Sequence, residues 1–118
     1  MAYDKNNIFA RILRGEIPCK KVYEDEFALA FHDIEPSAPV HILVVPKGEF
    51  VSFDDFSLNA SPEFIKGYLA AIQKTAKILN LQESGYRIIS NHGADASQTV
   101  PHFHTHILGG KNLGRLVG

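Results

Sequence analysis

Between Pro101 and the glycine pair Gly109-Gly110, histidine falls at every second position: His102, His104 and His106, separated by Phe103 and Thr105 and followed by Ile107 and Leu108. The run reads as a strand. Successive side chains of a strand point to opposite faces, so one face carries three imidazoles while Phe103, Thr105 and Ile107 share the other. A single histidine in a core strand is ordinarily a satisfied structural residue. Three side by side multiply the desolvation cost, and packing alone gives no return for it. Three imidazoles are also the ligand set of many zinc enzymes. At a rise of about 3.3 Å per residue, however, the first and third lie roughly 13 Å apart along the strand, too far for all three to converge on one ion with Zn–N bonds of about 2.0–2.1 Å. What remains is imidazole as a nucleophile and as a hydrogen-bond partner of an anion.

With 118 residues, 45% of them hydrophobic, the chain is long enough for one compact domain over residues 1–118 and too short for two. Lys plus Arg total 12 and Asp plus Glu 13, a net charge of -1 with no long run of either sign, which excludes nucleic-acid binding by bulk charge. The single cysteine, Cys19, excludes an internal disulfide. It follows Pro18 with no adjacent histidine, which makes it structural or incidental rather than nucleophilic. The start Met-Ala-Tyr-Asp-Lys lacks the basic and apolar regions of a signal peptide, and no apolar run approaches the roughly 20 residues that cross a bilayer. The expectation is a soluble cytoplasmic protein with no membrane partner.

In chain order, Asn7 is placed to cap a short helix from Ile8 to about Arg14, with Ile8, Ile12 and Leu13 on its apolar side and Gly15 as its stop. Residues 20–24 and 28–32 form a hairpin around Asp25-Glu26-Phe27, and the second strand runs out at Asp33 into the proline-broken segment 35–39. Residues 40–46 are apolar except for His41, as in a central strand buried on both faces, so His41 must be paired. Residues 48–60 read as a loop pinned by Phe50, Phe53 and Phe56. Ser61-Pro62 opens the one long helix, with Ile65, Tyr68, Leu69, Ile72, Ala76 and Leu79 as its core stripe. Residues 86–90 form the next strand, and residues 93–99 make a loop of short polar side chains and free N–H groups suited to a phosphate.

The alternating histidines resemble the histidine-triad superfamily of nucleotide hydrolases and transferases. The resemblance covers nearly the whole chain: Ile8-Phe9-Ala10-Arg11-Ile12, Glu16-Ile17-Pro18, Tyr23-Glu24-Asp25, Leu29-Ala30-Phe31-His32-Asp33-Ile34, His41-Ile42-Leu43-Val44-Val45-Pro46-Lys47, Gly85-Tyr86-Arg87 with Asn91, and Gln98-Thr99-Val100 are similar to its Hint branch of purine nucleoside phosphoramidases. The C-terminal segment from Lys111 lacks the Trp-Pro-Pro-Gly ending of eukaryotic members and is more similar to bacterial ones.

The resemblance implies that His104 is the nucleophile, attacking an α-phosphorus to give a nucleotidyl-histidine that water then hydrolyses. His102 and His106, with Asn91, Ser97, Gln98 and Thr99, would hold the phosphate or the leaving group, and His41 would orient the triad from behind. Ile8, Phe9, Ile12, Phe31 and Ile34 would wall the purine, and the Asp33 carboxylate would accept both ribose hydroxyls. Family members usually carry Gly-Gly where Ala96-Ser97 stand here. The implied substrates are adenosine or guanosine 5'-phosphoramidates and aminoacyl or lysyl adenylates, with no metal or other cofactor required. The implied assembly is a homodimer in which the C-terminal tail reaches the partner's site. Three rivals stay open: hydrolysis of dinucleoside polyphosphates, a non-catalytic purine-nucleotide binding or interaction module, and a zinc-binding protein. The expected fold is α+β, a mainly antiparallel sheet of about five strands packed on one face by the long helix, with the short N-terminal helix near the pocket.

Overall fold

The computed structural model describes residues 2–117. The elements in order are α1 (Ile8–Leu13), β1 (Lys21–Glu24), β2 (Ala28–His32), β3 (Val40–Pro46), α2 (Phe53–Asn59), α3 (Pro62–Ile78), β4 (Arg87–Ile89) and β5 (Thr105–Gly109), with a single 3-10 turn at Ala94–Ala96. The strands form one antiparallel sheet in the order β1-β2-β3-β5-β4, the α+β fold expected. None of its helices is long and apolar enough to cross a membrane among the described residues.

The period-two rule sorts the strand residues into two cores. Ala28 and Ala30 of β2, Ile42 and Val44 of β3, and Ile107 of β5 face α3, where they pack with Phe56, Tyr68, Ile72 and Phe103. Leu29 and Phe31 of β2 and Leu43 and Val45 of β3 face the other way, onto Phe9 of α1. β3 is buried along its whole length from His41 to Pro46, as a central strand between β2 and β5 must be. Tyr68 crosses the first core to donate to the Val44 carbonyl at 2.7 Å and meets the Thr105 hydroxyl at 2.8 Å, so the start of β5 is tied to both β3 and α3. Gly67 sits in mid-helix because a Cβ there would collide with the Phe27 ring.

Four local readings are corrected. The segment read as a loop holds α2: Ser52 caps it, the Asp55 carboxylate reaches back to the Val51 N–H at 2.8 Å, and the two together make a capping box that stabilises two turns despite few apolar residues. The α3 stripe is rotated, with Leu69 56% exposed while Ala71 and Thr75 are buried. The side of α1 that docks is Phe9 and Ala10, and Ile8 is 45% exposed. The histidine strand is also shorter than read. Its ladder begins at Thr105, and His102 to His104 precede it in irregular chain held by the Phe103 N–H to the Phe50 carbonyl at 2.7 Å.

Candidate active site

The pocket lies on the sheet face away from α3, between α1, the end of β2 and the start of β5, with a volume of about 680 Å³. Ile8, Phe9 and Ile12 of α1 wall one side, Phe31 and Leu43 form the floor, Asp33 and Ile34 stand at the rim, and Thr99, His104 and His106 close the remaining side. Asn7 makes this wall possible: its side chain accepts from the Ala10 N–H at 2.9 Å and donates to the Asp4 carbonyl at 2.7 Å, which starts α1 at the right place. Ile34, 93% exposed, is an apolar lip at the pocket rim.

The triad histidines are fixed in definite tautomers by their partners. The His104 Nδ1 lies 2.7 Å from the His102 carbonyl, which can only accept, so Nδ1 carries the proton and Nε2 keeps a free lone pair. His41 Nδ1 accepts from the Ser37 N–H at 2.9 Å, so the neutral His41 carries its proton on Nε2. It gives that hydrogen bond to His106 Nδ1 at 2.9 Å, which leaves His106 protonated on Nε2. The His104 and His106 rings stand 5.2 Å apart, edge to face, an acceptor nitrogen beside a donor.

Electrostatics keep the set neutral. Burial holds His106 down to about 4, and the neighbouring His104 and His41 add to the effect. Burial also lowers His104, against the His102 carbonyl that favours its proton. His41 is lowered by burial as well, which outweighs the Asp33 carboxylate 3.4 Å from its Nε2. A neutral His104 imidazole with an unengaged Nε2 lone pair is the result.

His102 is placed differently from the expectation that it holds phosphate. It is fully buried and is not among the pocket-lining residues. Both ring nitrogens are engaged, Nε2 with the Pro46 carbonyl at 3.1 Å and Nδ1 with the Tyr3 hydroxyl at 2.6 Å. Gln98 is likewise consumed by the backbone. Its amide accepts from Gly93 N–H at 3.1 Å and donates to the carbonyls of Val51 at 2.7 Å and Val100 at 3.1 Å, so it shapes the 93–100 loop and has no donor left for a ligand. Neither Ser97 nor Asn91 lines the pocket. Ser97 takes φ +58° in the left-handed region, which costs a non-glycine residue roughly 1–2 kcal/mol. His41 is buried and hydrogen-bonded to His106, and it does not line the pocket.

Sequence reasoning did not assign Ile17, Pro18, His32, Leu43 and Val100 to the pocket they line, and it missed three further residues. Cys19 and Lys20 line the pocket, although the chain around them carries no motif beyond the Glu16-Ile17-Pro18 turn. Tyr3 stands in a polar N-terminal stretch with no periodicity to mark it.

Asp33, His41 and His106 are the one group among the described residues whose potential ligand atoms converge, all within 4.8 Å. The 2.9 Å between the two imidazole nitrogens is a hydrogen-bond length. Two nitrogens on a tetrahedral zinc ion would stand roughly 3.3 Å apart. The geometry is that of a proton-sharing chain.

Comparison with known proteins agrees with this architecture. The chain is 57% identical to a 13.2 kDa HIT-like protein of Azospirillum brasilense over 98% of this chain and 94% of that one. It is 45% identical to the HIT-like protein RP317 of Rickettsia prowazekii over 98% and 96%. Among solved structures it superposes on a histidine triad protein from Clostridium difficile with a TM-score of 0.87 at 42% identity, covering 97% of this chain and 98% of that one. It superposes on a HIT family hydrolase from Legionella pneumophila with a TM-score of 0.88 at 37% identity, covering 96% and 100%. Residues 14–113 match the HIT domain, and the chain belongs to the HIT domain family.

Proposed function

We propose that the protein is a purine nucleoside 5'-phosphoramidase: it binds an adenosine or guanosine 5'-phosphoramidate, or an aminoacyl or lysyl adenylate, and releases the nucleoside monophosphate. The observation that carries this reading is the pair of opposed tautomers on one wall of an apolar pocket, a bare Nε2 on His104 beside a protonated Nε2 on His106. The His104 lone pair forms a bond to the α-phosphorus as the phosphorus–nitrogen bond to the amine breaks. An amine is a poor leaving group as an anion, so it departs with a proton: His106, protonated from solvent, gives it up from Nε2 and returns to the neutral imidazole. Water then cleaves the nucleotidyl-histidine, returns the proton and frees His104.

The purine lies between Ile8, Phe9, Ile12 and Phe31, where a flat ring gains most from apolar burial. Asp33 receives the ribose. Its Oδ1 already accepts from the Glu35 N–H at 2.8 Å, which orients the carboxylate and leaves lone pairs on both oxygens. Asp33→Ala should therefore weaken binding of a ribonucleotide by about 10-fold or more, and binding of its 2',3'-dideoxy analogue far less. Equal losses measured by calorimetry would leave Asp33 as a turn residue only.

Turnover of adenosine 5'-phosphoramidate by chelator-treated protein tests the reading. Repeated release of adenosine monophosphate supports it. Release of one nucleotide per chain without turnover favours a binding module, and activity confined to dinucleoside polyphosphates favours the related hydrolase. For the assembly we propose a second copy of this chain. β4 is a free sheet edge, and Ile88 upon it and Leu69 of α3 line one apolar groove while each is more than half exposed. Sedimentation showing only monomer at micromolar concentration would remove the dimer from this account.

A further inference from the structure

We propose that Tyr3 is a positioning residue for the nucleophile: its hydroxyl pins the buried His102, and His102 in turn presents the backbone carbonyl that holds His104 in its reactive tautomer. The inference rests on the proposed role of His104, and it concerns a residue outside the 14–113 match to the HIT domain.

The chain of contacts is continuous. The Tyr3 hydroxyl lies 2.6 Å from His102 Nδ1, and His102 Nε2 lies 3.1 Å from the Pro46 carbonyl. A carbonyl only accepts, so His102 donates through Nε2 and its Nδ1 is the acceptor, which makes Tyr3 the donor. Burial raises the Tyr3 pKa, so the phenol keeps the proton that this bond needs. The carbonyl of the same His102 lies 2.7 Å from His104 Nδ1. The three residues are locked by ring contacts too. Tyr3 stands edge-on to His102 at 5.5 Å, and Phe9 stands edge-on to both His102 at 6.2 Å and His104 at 4.9 Å.

This matters because the segment 102–104 precedes the β5 ladder, so strand pairing does not set the direction of the His102 carbonyl. What sets it is the Phe103 N–H bond to Phe50, the Ser90 hydroxyl on the His104 carbonyl at 2.8 Å, and the His102 ring itself, anchored between Pro46 and Tyr3. Tyr3 is brought there by the Asp4 turn, in which the Asn7 N–H and side chain both donate to the Asp4 carbonyl, at 3.1 Å and 2.7 Å. Removing the phenol leaves a buried, unpaired Nδ1 on His102. The ring can then turn or change tautomer, and the His102 backbone loses one of the anchors that aim its carbonyl at His104.

The test is Tyr3→Phe, which keeps the ring and removes only the hydroxyl, read by two independent measurements on the full chain. With adenosine 5'-phosphoramidate, kcat should fall about 10-fold while KM stays within about twofold, since Tyr3 is remote from the purine wall. Nitrogen NMR of the histidine side chains should show His102 Nδ1 losing its hydrogen bond, and His104 changing from a single Nδ1–H tautomer to a mixture. The NMR reading stands even if wild-type protein does not turn over this substrate, so failure of the proposed function and failure of the latch are told apart. An unchanged His104 tautomer overturns the proposal, as does unchanged kcat in a turning-over enzyme whose His102 has lost its bond. Should Tyr3→Phe fold poorly, Tyr3→Trp, whose indole N–H is a donor of different reach, provides the same two readings: where the His102 bond is lost, a mixed His104 tautomer with lowered kcat supports the latch, and an unchanged His104 tautomer opposes it.

Discussion

Replacing His104 by alanine is expected to lower turnover by several orders of magnitude and to leave purine nucleotide binding largely in place. The side chain is buried and contributes one wall of the pocket, but the proposed purine wall is α1 and β2, and the proposed ribose acceptor is Asp33. A nucleophile contributes in the transition state and little in the ground state, so the loss belongs in kcat and not in KM. A phosphate cradle behaves otherwise. Losing one of several donors would weaken binding by about 1–3 kcal/mol and leave much of the activity. Steady-state kinetics with calorimetry on the same variant decides between them, with circular dichroism to confirm that truncating a buried ring leaves the fold intact.

Acidification is expected to destabilise the protein steeply well before its carboxylates titrate. Burial holds His102 down to about 4 and, with repulsion from His104 and His41, holds His106 down to about 4, against 6.5 in the unfolded chain. A folded pKa lowered below the unfolded one means that the unfolded chain binds protons first. The contribution is therefore fully present above about pH 6.5 and is lost as pH falls toward 4. Two such groups steepen the dependence to about 2.7 kcal/mol per pH unit at most, or on the order of 4 kcal/mol between pH 7 and pH 5. His106 is only partly buried, so water screens some of its share, while His104 and His41 shift in the same direction and add to the total. Against a usual domain stability of about 5–15 kcal/mol this is a large fraction. Urea titrations at pH 7, 6 and 5 check it, and a flat stability over that range would mean that the imidazoles are not neutral and buried together.

How far the sequence could be read depended on whether a residue's role is written in a period. The alternation at 102–107 placed Phe103 and Ile107 against the helix side, and the apolar run with its one histidine made β3 central, because burial on both faces leaves no other reading. That His41 must be paired follows from the same argument. Side chains that spend their polar atoms on the backbone carry no such mark. Gln98 and His102 have the composition of ligand contacts, yet each is used up by carbonyls that belong to distant segments, Val51 and Pro46. Leu69 shows the other limit: a helical stripe names a face within about one residue, and the partner surface decides which edge of that stripe is covered. α2 was concealed because its Ser52 and Asp55 cap is followed by no repeated apolar stripe, Phe56 being its one buried residue. Tyr3 acts at a sequence distance of 99 residues, which no local pattern can show.

The central claim is that a nucleotide is carried covalently on His104 Nε2. Its most direct measurement is the stereochemical course at phosphorus, using an adenosine 5'-phosphoramidothioate of known configuration hydrolysed in isotopically labelled water. Attack by His104 and then by water gives two in-line displacements, so the account predicts net retention of configuration. Net inversion would require a single displacement by water and would contradict it.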